Sequence, residues 1–132
     1  MVTGRTFGRS SESRTCEIPM KLPSLNEYVR ACRTNRYMGA KMKANYEDDI
    51  CMFVKRLPRF ERPVLIRFHW IEESRRRDLD NVAFAKKFVL DALVKSGVLE
   101  NDDHRHVRGF SDTFGYGPEA KVIVTIEPLE ES

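Results

Sequence analysis

Cysteine is scarce in this sequence. Cys16, Cys32 and Cys51 are three in number, widely separated, and form no Cys-x-x-Cys pair. A zinc site or a disulfide framework is therefore excluded as the organising feature, and three reduced, structural thiols are expected. Long apolar runs are also missing: none approaches the roughly 18–20 residues that a membrane-crossing helix needs. The opening Met1-Val2-Thr3-Gly4-Arg5 lacks the apolar centre of a secretory signal. These absences point to a cytoplasmic protein that does not enter the membrane. Internal repeats are lacking too. The 132 residues are the size of one ordinary domain, large enough to bury a core without staples.

No large excess of one charge is present, since the net charge is only +3, but its distribution is uneven. Residues 1–60 hold 12 Lys/Arg against 6 Asp/Glu, whereas residues 61–132 hold 11 against 14. A basic half suits a polyanion, because Lys and Arg that displace counterions from DNA gain entropy from their release. A solvated basic face explains the same numbers equally well.

Hydrophobic spacing organises the rest. Residues 1–13 show no periodicity and read as a flexible basic tail. Cys16, Ile18 and Met20 alternate as in a short strand. Ser24 and Glu27 have capping-box spacing, which predicts a helix start with Leu25, Tyr28, Val29 and Cys32 on one face. After a basic polar stretch, 33–36, a second helix is expected from Met38 or Lys41 to Leu57, stopped by Pro58. Residues 63–71 read as the clearest strand, with Val64, Ile66, Phe68 and Trp70 sharing a face. A charged connector, 72–77, leads to a helix over 79–96 that Gly97 can end in the left-handed conformation. Strands near 107–110 and 121–127 follow. Gly115-Tyr116-Gly117-Pro118 is placed to join them as a hairpin. The expectation is a single α+β domain over 14–132, with a mixed β-sheet packed against helices.

The densest chemical signal is Arg75-Arg76-Arg77-Asp78-Leu79-Asp80-Asn81. Residues i and i+2 point the same way in an extended backbone, so Asp78 and Asp80 can converge on one cation if the chain is extended through Leu79. Hard divalent cations such as Mg²⁺ take carboxylate oxygens. The blander account is a charge-paired loop with Asp80 capping the helix. On a continuous helix, Asp80, Lys87 and Asp91 fall within roughly 40° of one another at about 100° per residue, while Lys86 projects from another face. A Lys87–Asp91 ion pair on a solvated surface accounts for part of that stripe. A third acidic cluster, Glu100-Asn101-Asp102-Asp103, follows the helix, and local spacing cannot bring it to Asp78. His104 and His106 read as surface histidines. Tyr28, Tyr37, Tyr46, Phe53 and Trp70 sit at core spacing, though such rings also stack on bases.

Taken together, Arg76-Arg77-Asp78-Leu79-Asp80-Asn81, Lys87 ahead of Asp91-Ala92-Leu93, Gly97-Val98-Leu99 and Asp102-Asp103 resemble the RusA-type Holliday junction resolvases. Pro23-Ser24-Leu25-Asn26-Glu27-Tyr28 is similar to that family's opening motif. The resemblance covers roughly residues 17–127. It implies a homodimeric α+β endodeoxyribonuclease that uses Mg²⁺, with Mn²⁺ as a substitute, to resolve four-way DNA junctions in recombination and repair. It implies that Asp78, Asp80 and Asp103 hold one or two metal ions and that Lys87 acts beside them. Asn81 and Asp91 are secondary candidates. Against the family pattern, three residues are inserted between Asn81 and Lys87 and one before Asp102. Lys86 therefore stands as the alternative to Lys87, and Asp102 as the alternative to Asp103. Arg30, Arg33, Arg36, Lys41, Lys43, Arg75, Arg76 and Arg77 are the expected DNA contacts. The rival reading is a non-enzymatic nucleic-acid-binding module whose acidic residues are structural.

Overall fold

The most apolar segment lies inside the sheet. The computed structural model describes residues 12–130. Their order is β1 (Arg14–Ile18), α1 (Leu25–Thr34), α2 (Arg36–Val54), β2 (Val64–Glu72), α3 (Leu79–Ala83), α4 (Lys86–Lys95), β3 (Val107–Tyr116) and β4 (Lys121–Pro128). The tail expected over 1–13 lies, up to residue 11, outside the described residues. The single α+β domain with a mixed sheet is borne out. Strand order is β1-β4-β2-β3, with β2 antiparallel to β4 and parallel to β3.

The hairpin expected between the last two strands does not form. β3 and β4 flank β2 on opposite sides, and the connection over 117–120 crosses the end of β2. There the Gly117 N–H donates to the Glu72 carbonyl at 2.9 Å. Apolarity explains the order. Val64, Ile66, Phe68 and Trp70 are buried along one face of β2, so that strand takes an inner place. β3 carries Arg108, Ser111, Asp112 and Thr113, and a polar strand belongs at an edge. β3 also runs through Gly115 and Tyr116, which read as part of a turn. The parallel β2–β3 pair needs a long crossover, and α3 with α4 supplies it.

On the core face, Ile18, Val122, Val124 and Ile126 join the β2 residues. Ile50 and Val54 of α2 and Phe88, Val89, Ala92 and Leu93 of α4 complete that core. The opposite face is mixed: beside Leu65, Ile71 and Ile123, Thr15 bonds Thr125 at 3.0 Å and His69 bonds Thr113 at 2.6 Å. Cys16 and Cys51 are half-buried and point at the carbonyls of Phe53 and Ala92. Among the described residues, no helix is long and apolar enough to cross a membrane.

The capping box forms as its spacing predicts. Ser24 Oγ accepts from the Glu27 N–H at 3.2 Å, and Glu27 accepts from the Ser24 N–H at 2.8 Å. α2 starts earlier than expected because Asn35, extended at φ −170°, caps it by accepting from Met38 N–H at 2.8 Å. Gly39 lets the two helices approach closely, since a Cβ there would lie 2.5 Å from Cys32 Sγ. The helix expected over 79–96 is broken. Hydrogen bonds tighten to i→i−3 at Ala85→Val82, Lys87→Phe84 and Phe88→Ala85, a 3₁₀ step. Phe84 and Phe88 both pack on Tyr28 across this break, each 5.6 Å centroid to centroid. Gly97 ends α4 at φ 81°, as anticipated.

Candidate active site

The connector from β2 into α3 is held by one arginine. Arg77 grips Glu72 with two bonds of 2.9 and 3.0 Å, the Leu22 carbonyl at 3.0 Å and Glu27 at 3.0 Å. Burial opposes its charge, but Glu72 and Glu27 outweigh that and push its pKa up. The arginine run therefore divides. Arg77 is an internal clamp. Arg75 lies 5.0 Å over the Tyr116 ring. Arg76 is exposed and forms no ion pair among the described residues.

This clamp presents the next two carboxylates. Asp78 is the N-cap of α3, with extended backbone (φ −67°, ψ 151°), yet its side chain makes no capping hydrogen bond. Asp80 lies in the first helical turn, and its Oδ1 accepts only from its neighbour's N–H, that of Asn81, at 3.0 Å. The chain is thus not extended through Leu79, as the convergence argument assumed. The helix begins there, and the N-cap is Asp78 instead of Asp80. Both aspartates are exposed, and neither forms an ion pair among the described residues. Asn81 is half-buried, with a solvent-inaccessible Oδ1 that has no hydrogen-bond partner.

The other expected residues separate. Lys87 is 60% exposed and only 3.8 Å from Asp91, whereas Asp91 lies 3.0 Å from Lys43. Lys43 also bonds Glu47 at 2.8 Å, and these two bonds, Glu47's first, push its pKa up. Asp91 and Lys43, expected near substrate, are thus joined in a contact between α4 and α2. Lys86 turns elsewhere: its Nζ donates to Asp112 at 2.6 Å. Asp103 is bound up in its own turn, accepting from the His106 ring at 2.6 Å and from Arg105 N–H at 3.1 Å. The His106 bond holds the Asp103 carboxyl below its ordinary range. Asp102, the alternative, is half-buried and bonds Asn101 Oδ1 through its backbone N–H at 2.7 Å. Arg30, Arg33, Arg36 and Lys41 are exposed, and Arg30 and Arg33 line an open groove with Asn26, Val29 and Thr34.

Asp112 escaped the sequence reading, as did the role of Trp70. The available signal was a lone carboxylate between Phe110 and Phe114 on one face of a strand.

Among the described residues, no three His, Cys, Asp or Glu side chains form a group that could hold a metal ion. The set of Asp78, Asp80 and Asp103 is therefore not gathered within one chain. The donor chemistry of Asp78 and Asp80 alone does fit Mg²⁺, which is commonly bound by one or two carboxylates plus waters and substrate phosphate. No family model matches the chain, and no curated protein matches it.

Proposed function

We propose that this chain is a Mg²⁺-dependent, structure-selective endodeoxyribonuclease of the RusA type, a cytoplasmic homodimer that resolves four-way DNA junctions. The observation that carries the reading is the pair Asp78 and Asp80. Two exposed carboxylates lie two residues apart at the start of α3 and form no ion pair among the described residues, in a segment pinned by Arg77, with Arg75 and Arg76 just upstream. The bland account of these aspartates is weakened, because the N-cap side chain does not cap. The motif's likeness to the resolvases supplies the substrate class.

The reaction is phosphodiester hydrolysis. A water oxygen bonds to phosphorus, the bond to one sugar oxygen breaks, and that oxygen takes a proton. Asp78 and Asp80 would hold the ion. Mg²⁺, when bound, makes water a better nucleophile and neutralises phosphate charge. Arg75 and Arg76 face the scissile strand, and Arg30, Arg33, Arg36 and Lys41 track the arms by phosphate contacts. A positioned lysine stabilises charge on the phosphate. Asp103 is proposed to join the site only if DNA or a second subunit releases it from His106. A twofold dimer supplies two equivalent sites for paired nicks.

The test is cleavage of a labelled panel of junctions, flaps and duplexes, with Mg²⁺ and with EDTA. Mg²⁺-dependent cutting that favours the four-way junction is expected. Binding without cutting would establish the nucleic-acid-binding module instead, and full activity in excess EDTA would remove the metal. Light scattering should give about twice the 15.4 kDa chain mass, and a monomer that persists on junction DNA would defeat the paired-nick arrangement.

A further inference from the structure

Asp112 lies on edge strand β3, opposite Phe68 in register. Its carboxylate is engaged at both oxygens. Trp70 Nε1 donates to Oδ1 at 2.9 Å, and Lys86 Nζ donates to Oδ2 at 2.6 Å. The Lys86 ammonium also lies 5.6 Å from the Phe68 ring centroid and 5.2 Å from that of Phe110. Lysine has a long, flexible stem, yet this one is located by a carboxylate and two rings. Its side chain still keeps 24% exposure. An ammonium carries three donors, and Asp112 takes one, so donors remain for an anion. Lys87 has no comparable seat.

We infer that Asp112 is a positioning residue that seats Lys86, and that Lys86 is the lysine that meets the scissile phosphate. This rests on the nuclease reading above. Charge fixed in place before substrate arrives stabilises a transition state without reorganisation, and Asp112 supplies that fixity. Lys86 follows Asp80 by six residues across the 3₁₀ step, a rise of about 9–12 Å at 1.5–2 Å per residue, which a phosphodiester held at Asp78 and Asp80 and the lysine arm together would have to bridge. Trp70 holds the far oxygen of Asp112 and so sets the direction of the near one.

The test compares wild type, Asp112→Asn, Lys86→Met and the double variant in single-turnover junction cleavage, with junction Kd and Tm measured beside it. The amide introduced by Asp112→Asn would keep an oxygen for Trp70 but lose the charge that holds Lys86. This variant should cut at least tenfold more slowly at a Kd near wild type, with a Tm lowered by loss of the partly buried pair but still above the assay temperature. Emission from Trp70, the only tryptophan in the chain, should be unchanged. Lys86→Met should lose at least as much, and the double variant no more than Lys86→Met alone, because Asp112 acts through Lys86.

Near-wild-type cleavage by Asp112→Asn beside an impaired Lys86→Met overturns the positioning role and leaves the nuclease reading intact. Wild-type rates in Lys86→Met overturn the choice of lysine. A double variant that falls by the product of the two single losses also overturns the inference, since independent structural contributions multiply. Should Asp112→Asn melt early, Trp70→Phe removes the indole donor together with part of a buried ring, so its Tm is measured and its cleavage is read at a temperature where it is folded. It should slow cleavage several-fold at unchanged Kd, and an unchanged rate is fatal to the idea. Absence of Mg²⁺-dependent cutting by the wild type is the separate failure of the nuclease reading, and it overturns this inference with it.

Discussion

Residues 75–80 and the group formed by Lys43, Glu47 and Asp91 are built from the same kinds of side chain and use them in opposite ways. In the second group each carboxylate meets the Lys43 ammonium within 3.0 Å, and Glu47 is buried. These charges join α2 to α4 and are satisfied by one another. In the first group Arg77 is engaged inside the fold, while Asp78 and Asp80 are exposed and form no ion pair among the described residues. Joined carboxylates hold a fold together, whereas exposed carboxylates that pair with nothing add little to it. An arrangement that adds little to stability leaves its side chains open to a ligand.

The strongest way to break this comparison is to neutralise the exposed pair. Asp80→Asn keeps the shape and removes a strong metal ligand. Cleavage should fall at least a hundredfold in Asp78→Asn and in Asp80→Asn, while Tm stays close to wild type. The loss of a first-turn acid costs only about 0.3–1 kcal/mol. Junction binding in metal-free buffer should persist or tighten, because one source of phosphate repulsion is gone. A gel-shift titration beside a cleavage time course reads both, and retained cleavage in both variants would reject the assignment of the motif.

The reverse experiment is Lys43→Met. It leaves Glu47 and Asp91 facing each other with only Lys87, 3.8 Å from Asp91, as a nearby cation. Breaking a buried pair costs about 3–5 kcal/mol, but Lys43 is 36% exposed, so solvent screening reduces the expected loss to about 1–2 kcal/mol. Urea denaturation measures it. Cleavage per folded molecule should stay within about twofold of wild type. A large catalytic loss at full stability would move Lys43 from the scaffold to the site.

Local chemistry in the sequence was enough for the elements whose causes are local. Ser24 and Glu27 announced α1, Gly97 announced the end of α4, and the alternation of Val64, Ile66, Phe68 and Trp70 announced β2. The strand order was not legible, because the hairpin signal at 115–118 describes a turn and says nothing of a third strand entering between its arms. The helix break at Phe84 was hidden because both halves keep helical hydrophobic spacing, and the tightening shows only in the hydrogen bonds. For the site, the D-L-D-N motif was visible, but which charges are already joined was not. Lys43 and Asp91 are 48 positions apart in the chain, on different helices that no helical wheel relates. Asp112 depends on a strand pairing that no spacing rule supplies.

The smallest expected effect tests whether the clamp and the site are separable. Glu27 belongs to the clamp and to the α1 cap, since it closes the capping box and touches Arg77 at 3.0 Å. Burial pushes its carboxyl upward, but the two Ser24 hydrogen bonds and Arg77 outweigh that and hold its pKa below the ordinary carboxylate range. A depressed folded-state pKa means that the stabilisation is present above the unfolded value, about 4.3, and is lost as pH falls through the folded value. Glu27→Gln should therefore lower the urea midpoint at pH 6–7, and its difference from wild type should shrink as pH drops below about 4. Ser24→Ala removes the other half of the box and should cost about 1 kcal/mol. Arg77 retains both bonds to Glu72 in either variant, so cleavage at pH 7 should change by less than about twofold. A pH-independent deficit in Glu27→Gln would show that packing, not charge, is what Glu27 contributes. A collapse of cleavage in a fully folded Glu27→Gln would show that Glu72 alone cannot hold the connector, and that the α1 cap is part of what aims Asp78 and Asp80.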